Sequence, residues 1–247
     1  RSYSVTGVQT CALPISHLAP AKPGDWVDDL VSFVDLPATV FSLCGVPIPE
    51  HYEGRPFLGE QKVAPRQHVF LFRGRMDERY DTVRAVRDRE FRYVRNYSPH
   101  RPWGQHYSYP FQVQLSMRSW FAEFTAGRCN ATQAAYWQPK PGEEFYRLAD
   151  DPHEINNRIA DPRHAARLAK LRAALRIEIL KTRDPGFIPE GMGAKLAGEK
   201  TLYDYAQSAA YPLARILDLA DQASDRNPAH LPAFIAALED PHPVIRY

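Results

Sequence analysis

The hydrophobic pattern of the chain predicts a small sheet set between helical stretches. Trp26, Val27, Leu30, Val31, Phe33 and Val34 form an apolar run that stops at Asp35, after which Leu36, Val40, Phe41 and Leu43 recur at helical spacing. With Asp35 as N-cap, Pro37 in the first turn and Gly45 as the stop, the spacing predicts a helix over 36–44. Val69–Phe72, Val83–Arg87 and Phe91–Tyr97 are short and rich in β-branched and aromatic residues, so they read as strands, the last two as a hairpin around Asp88-Arg-Glu90. Phe145–Leu148 reads as a further strand. Between them Phe111, Leu115, Trp120, Phe121 and Phe124 fall at roughly helical spacing, and the Tyr/Pro/His-rich stretch 97–110 reads as a long loop.

Two Asp-Pro pairs follow. Asp151-Pro-His-Glu154 has the residues of a capped helix start, and Asp161-Pro162 opens a helix whose stripe is Leu168, Leu171, Leu175 and Ile179, running to about Thr182. Strands followed by one long covering helix predict an α+β domain with a small antiparallel sheet. Beyond it the composition shifts to a linker over 185–200 and then to two helical patterns in 201–247, marked by Leu213, Ile216, Leu217 and Ala220 and by Leu231, Phe234, Ile235 and Leu238.

Composition narrows the picture. Of 247 residues 44% are apolar and 24% charged, which fits a globular chain with a real core. The 22 prolines are about 9% of the chain against roughly 5% on average, so many short, proline-ended elements are expected. Thirty-one basic against 29 acidic residues leave +2, with the signs interleaved, which argues against a nucleic-acid surface. No apolar stretch reaches the roughly 20 residues of a membrane span. The cysteines Cys11, Cys44 and Cys129 form neither a disulfide framework nor a Cys-x-x-Cys spacing. Asn96 and Asn130 begin glycosylation-type triplets, a pattern that also arises by chance.

Val5-Thr-Gly-Val-Gln-Thr-Cys-Ala-Leu-Pro-Ile15 resembles a translated sequencing adapter, so residues 1–16 are expected to be artefactual. From there on, the residues resemble a known family. Leu30-Val-Ser-Phe-Val-Asp-Leu-Pro-Ala-Thr39, then Leu43-Cys-Gly-Val-Pro-Ile-Pro49, then Gly54-Arg-Pro-Phe-Leu58 are similar to the stretch after the last active-site segment of sulfatases. Arg84–Asp88 with Phe91–Arg95 resembles that family's hairpin, and Phe145-Tyr-Arg-Leu with Asp151-Pro-His-Glu154 and Asn156-Asn157 resembles its LYDL-x-x-DP-x-E-x-x-N signature. The proline one position early at Pro37 and Asp88-Arg-Glu90 in place of Asp-Gly are the departures. The resemblance covers 18–184 and is to type I, formylglycine-dependent sulfatases of the alkaline-phosphatase superfamily, among them bacterial heparan-N-sulfatase-like members.

The resemblance implies hydrolysis of sulfate esters or sulfamates, on carbohydrate, by a parent protein that holds Ca²⁺ and a formylglycine made in a Cys-x-Pro-x-Arg motif. None of the three cysteines has that motif, so no catalytic or metal residue and no cofactor is expected in this piece. The partner it implies is an N-terminal catalytic region of the same chain, with 17–184 as the C-terminal sulfatase region, and the piece alone is expected to be inactive. Family members are mostly exported, which implies a periplasmic or secreted parent. Asp240-Pro-His-Pro-Val-Ile-Arg-Tyr247 resembles the second-helix opening of a HEAT repeat, so 201–247 is expected to begin a truncated helical extension. Two other readings stand beside this one: a non-catalytic helical interaction module, and a piece of a related phosphodiesterase or phosphotransferase.

The residues themselves offer candidate substrate contacts. Arg73, Arg75 and Arg79 with Asp77 and Glu78 put three guanidinium groups and two carboxylates in one loop, and guanidinium suits sulfate or carboxylate through paired hydrogen bonds. His100, Arg101, Trp103 and His106 combine stacking and hydrogen-bonding groups suited to a sugar. The alternative is a solvated charged connection with internal ion pairs, and Trp103 packed on the sheet. Cys44 reads as a buried core thiol, Asp28-Asp29 as a solvated turn, His153 and His164 as surface residues, and His242 as a repeat-turn residue.

Overall fold

A computed structural model describes residues 27–247. The expectation for residues 1–16, and the start of the apolar run at Trp26, lie outside them. Four strands, β1 (Val69–Arg73), β2 (Val83–Arg87), β3 (Phe91–Asn96) and β4 (Glu143–Arg147), form one antiparallel sheet in the order β1-β2-β3-β4. With the helices around it this is the α+β class that the pattern predicts. β4 begins two residues before the apolar run because both of its glutamates are paired. Glu143 accepts from Tyr93 Oη at 2.5 Å and from Arg172 at 2.6 and 2.8 Å, and Glu144 accepts from Asn96 Nδ2 at 2.6 Å.

The chain divides into two compact units. One comprises the described residues up to Val69 together with Val86–Arg92 and Tyr146–Asn156; the other comprises Phe70–Ala85, Tyr93–Phe145 and Asn157–Tyr247.

In the first unit α1 (Asp35–Leu43) forms where the spacing predicts, but Asp35 does not cap it. Its side chain is 2% exposed and accepts the N–H groups of Ser32 at 2.9 Å and Arg55 at 2.8 Å, and it is paired with the Arg66 guanidinium. As the first residue of the helix, the aspartate pins a loop to it rather than standing before it as a cap. Thr39 Oγ1 and Ser42 Oγ accept the N–H groups of Phe57 and Gln61, tying the same loop to the helix face. Cys44 is exposed, a correction to the buried thiol expected, since α1 ends there and turns at Gly45 with φ +67°. Asp29 pairs with Arg89 at 2.7 Å.

Asp151 caps no helix either. It accepts the N–H groups of Ile155 and Asn156, Glu154 takes φ +55°, and its carboxylate turns to Arg92 at 2.9 Å. The distant arginine outcompetes the local capping geometry.

In the second unit the helical excursion resolves into α2 (Ser108–Val113), α3 (Leu115–Thr125) and α4 (Ala131–Ala135). Their aromatic side chains gather on Trp137, with Phe111, Trp120, Phe121, Phe124 and Tyr136 all within 6.2 Å between ring centroids. Gly104 is required here, because a Cβ would collide with the Trp137 ring. The long helix α5 (Ala165–Thr182) buries the predicted stripe Leu168, Leu171, Leu175 and Ile179, and Asp161 caps the 3₁₀ turn that leads into it. Arg172 of α5 reaches Glu143 of β4 and lies over the Tyr93 ring of β3, so α5 lies along that part of the sheet.

The stretch 185–200, expected as a linker, is ordered structure. It holds a helical turn at Pro185–Phe187 and α6 (Glu190–Ala197), because Ile188 is buried, Phe187 packs edge-on against Tyr97 and Arg84 pairs with Asp184. Then come α7 (Leu202–Gln207), α8 (Leu213–Asp225), α9 (Leu231–Ala237) and α10 (Pro243–Arg246). Arg95 of β3 binds Asp221 and Asp225 of α8, Arg176 of α5 binds Asp218 and Asp221, and Arg183 donates to the carbonyls of Ala206, Ser208 and Tyr211. These C-terminal helices belong to the same packed unit as most of the sheet. No helix among the described residues is long and apolar enough to cross a membrane.

Candidate functional site

Three connections meet at one end of the sheet, all within the second unit. The loop after β1 carries residues 74–82, the loop after β3 carries 97–107, and the segment before β4 carries 138–142. Backbone bonds join them: Tyr97 N–H to Thr82 O at 2.9 Å, Lys140 N–H to Pro99 O at 2.8 Å and Asn96 N–H to Gly142 O at 2.9 Å. Residues distant in sequence are thereby held together at one edge.

At the centre two cations share one carboxylate. Lys140 Nζ lies 2.5 Å from Asp81 Oδ2 with both side chains inaccessible, and Arg73 Nε lies 3.4 Å from the same oxygen. Trp103 sits among them, with Lys140 Nζ 4.5 Å and the Arg73 guanidinium 5.0 Å from its ring. Arg73 also donates to the Trp103 carbonyl at 3.2 Å. Burial is the larger influence on both cations and pushes the pKa of each below its ordinary value, against the pull of Asp81. The ring supplies part of what the single carboxylate does not, through the attraction of a cation to an aromatic face. Trp103 also packs on Val83, Ala85 and Val94, so the sheet-packing role weighed from the sequence is present as well.

Around this centre the predicted charges pair across the two loops. Arg79 lies over the Tyr107 ring at 4.5 Å, Tyr107 Oη donates to Asp77 at 2.5 Å, and Glu78 accepts from the Ser108 backbone N–H and hydroxyl. Asp77 takes φ +49°, which closes the Met76–Arg79 turn. These bonds hold Glu78 below the usual carboxylate range and push Tyr107 up, the first through Ser108 and the second through Asp77. Arg75 pairs with Glu190 at the start of α6, and Arg101 lies over the Tyr80 ring at 5.6 Å. His106 packs beside Phe111, 5.1 Å between centroids. His100 is largely exposed, and the slight desolvation of its ring, followed by the nearby Arg101, holds it below the ordinary histidine range.

The structure thus brings Arg73 and Trp103 into one buried cluster and Asp77, Glu78 and Arg79 into a zip along 107–108. Arg75, Arg101 and His106 sit on separate partners of the same unit. Internal pairing explains much of the charge, so Arg73, Asp77 and Glu78 are first of all holders of the loops. Arg79 retains a buried Nε–H with no acceptor among the described residues. Sequence reasoning missed Asp81, Lys140, Tyr80, Tyr107 and Glu190. Only Pro139-Lys140-Pro141 carried a signal, since a lysine between two prolines sits on a rigid extended strap.

Among the described residues no group of three or more His, Cys, Asp or Glu converges to hold a metal ion. Asn96 is fully buried and bonded to Pro141 O and Glu144, which closes its glycosylation triplet, whereas Asn130 caps α4 at the surface.

No family model matches the chain. It is similar to an ulvan-active sulfatase of Formosa agariphila, with 31% identity over 162 residues, which are 65% of this chain and 27% of that protein. The chain thus spans about a quarter of the length of the relative it matches. Among solved structures it is similar to a 2-O GAG sulfatase, with TM-score 0.43 and 21% identity over 65% of this chain and 27% of that one. A further solved protein, held in complex with its substrate D-glucosamine-2-N,6-O-disulfate, aligns with TM-score 0.37 and 14% identity over 60% of this chain and 23% of its own. Over 65% of its length the chain is similar in sequence to a sulfatase.

Proposed function

We propose that the chain is the C-terminal part of a sulfatase that hydrolyses sulfate esters or sulfamates of a carbohydrate, and that its own share of the work is to hold the glycan. The observation that carries the class is the 31% identity to a sulfatase over 162 residues. The observation that carries the role is the sheet end, where guanidinium groups and a tryptophan are fixed on two interlocked loops. Sulfate is recognised by paired N–H donors and a sugar face by an aromatic ring; Arg73 lies at Trp103, and Arg75, Arg79, Arg101, His100 and His106 stand on the two loops beside it. The Ca²⁺ and formylglycine of the reaction belong, in this reading, to the N-terminal catalytic region, which is the partner of this piece. The parent is exported, and 201–247 begins a helical-repeat extension.

The test has two parts. The purified chain with an aryl sulfate and Ca²⁺ should give no turnover, and metal-dependent hydrolysis would contradict the division of labour. In the full-length protein, Arg79→Ala should raise KM for a sulfated oligosaccharide about tenfold with kcat nearly unchanged, the loss of one charge-assisted contact. An unchanged KM for Arg79→Ala and for Arg101→Ala alike would remove the sheet end from substrate binding.

A further inference from the structure

A second concavity lies in the helical excursion. It is an open surface depression of about 400 Å³ between α3 and α4, lined by Ser116, Ser119, Trp120, Glu123, Arg128 and Gln133, with Cys129 at its wall. We propose that this cleft is a separate carbohydrate subsite that takes an uncharged pyranose unit of the glycan. The choice of glycan rests on the carbohydrate reading above; the cleft itself does not.

The lining fits that ligand on three counts. Its volume lies in the range of small-molecule sites. Its chemistry is hydroxyl, amide and one ion pair, with Trp120 as the single aromatic surface, which suits a ring that is apolar on its C–H face and hydroxylated at its rim. Its charge is balanced, because Arg128 Nε and Nη2 clasp both oxygens of Glu123 at 2.7 and 2.8 Å, so an anion gains little there. A lipid would find too little apolar wall.

The platform is also held in advance. Trp120 stacks on Tyr136 with centroids 4.7 Å apart at 20°, meets Trp137 edge-on at 5.3 Å, and donates its Nε1–H to Gln133 O at 3.1 Å. Gln133 is fixed in turn by the reciprocal cap with Asn130. A ring already immobile loses little conformational freedom on binding, which is the condition under which a single aromatic contact gives useful affinity.

Cys129 in the wall is the reporter, and exposed Cys44 in the other unit is the internal reference. The intact chain is alkylated with iodoacetamide with and without a neutral oligosaccharide, and each cysteine is followed by peptide mass spectrometry. At a sugar concentration of about four times Kd, Cys129 should react about fivefold more slowly while Cys44 is unchanged. Ser119→Trp, an exposed position that fills the cleft, should abolish the protection; Arg128→Ala, also at an exposed side chain, should weaken it and serves if the first variant misfolds. An unchanged Cys129 rate, or equal slowing of Cys44, overturns the subsite. If sulfated oligosaccharide still binds in an Arg79-dependent way while Cys129 is unprotected, the cleft alone fails. If no oligosaccharide binds at all, the carbohydrate reading fails with it.

Discussion

Two buried charge clusters, one in each unit, are built from the same side-chain types and balance differently. In the first unit Asp35 faces one guanidinium, Arg66, and two backbone N–H groups, so every lone pair has a donor and the charges cancel. In the second unit Asp81 faces both Lys140 and Arg73, and Trp103 takes up part of the surplus. The first is complete in itself and pins a loop to a helix. The second sets two cations on one carboxylate, with the Glu144 charge also acting on Lys140, and holds two loops together. Charge balance separates the two roles where burial does not.

Breaking each cluster at its carboxylate should give the largest effects. Asp81→Ala strands an inaccessible lysine and an arginine, and should cost about 4 kcal/mol in urea denaturation, more than the single stranded cation of Asp35→Ala at about 3 kcal/mol. Equal losses would say that the surplus charge at the sheet end carries no strain. Lys140→Met should cost far less than Asp81→Ala, because Asp81 keeps Arg73 and the desolvation of the ammonium is removed; the same denaturation midpoints report it.

Arg101→Ala at the rim should leave the midpoint within about 0.5 kcal/mol while weakening sulfated-oligosaccharide binding several-fold, readable by calorimetry. The smallest effect is the dependence on pH. Burial would raise the Asp35 carboxyl, but Arg66 and the N–H groups of Arg55 and Ser32 outweigh it and hold it below the usual range. The folded form therefore binds the proton later than the unfolded form. Its stabilisation is present above the ordinary carboxylate pKa and is lost as the pH falls through the lower folded value. Asp35→Asn should accordingly flatten the acid side of the stability curve below about pH 4.

What the sequence revealed follows from range. The strands were legible because β-branched and aromatic residues alternate in short runs, and α5 because Leu168, Leu171, Leu175 and Ile179 keep one helical face. Asp35 and Asp151 misled because their local context spells a helix cap, whereas Arg66 lies 31 residues from the first and Arg92 62 from Glu154. Long-range arginines override caps, and no local pattern announces them. The candidate site shows the same limit. Its arginines and Trp103 stood out as types in a loop, but Asp81 and Lys140 meet across 59 residues of chain. The composition of 185–200 suggested a linker because its small residues hide the buried Ile188 and the contacts of Phe187.

The central claim, that this segment grips a sulfated glycan at the sheet end, is tested most directly by titrating the purified chain with matched sulfated and desulfated oligosaccharides. Tighter binding of the sulfated form, with the difference reduced by added salt and by Arg79→Ala, is the expected result. Equal affinity for both forms, or none for either, would contradict it.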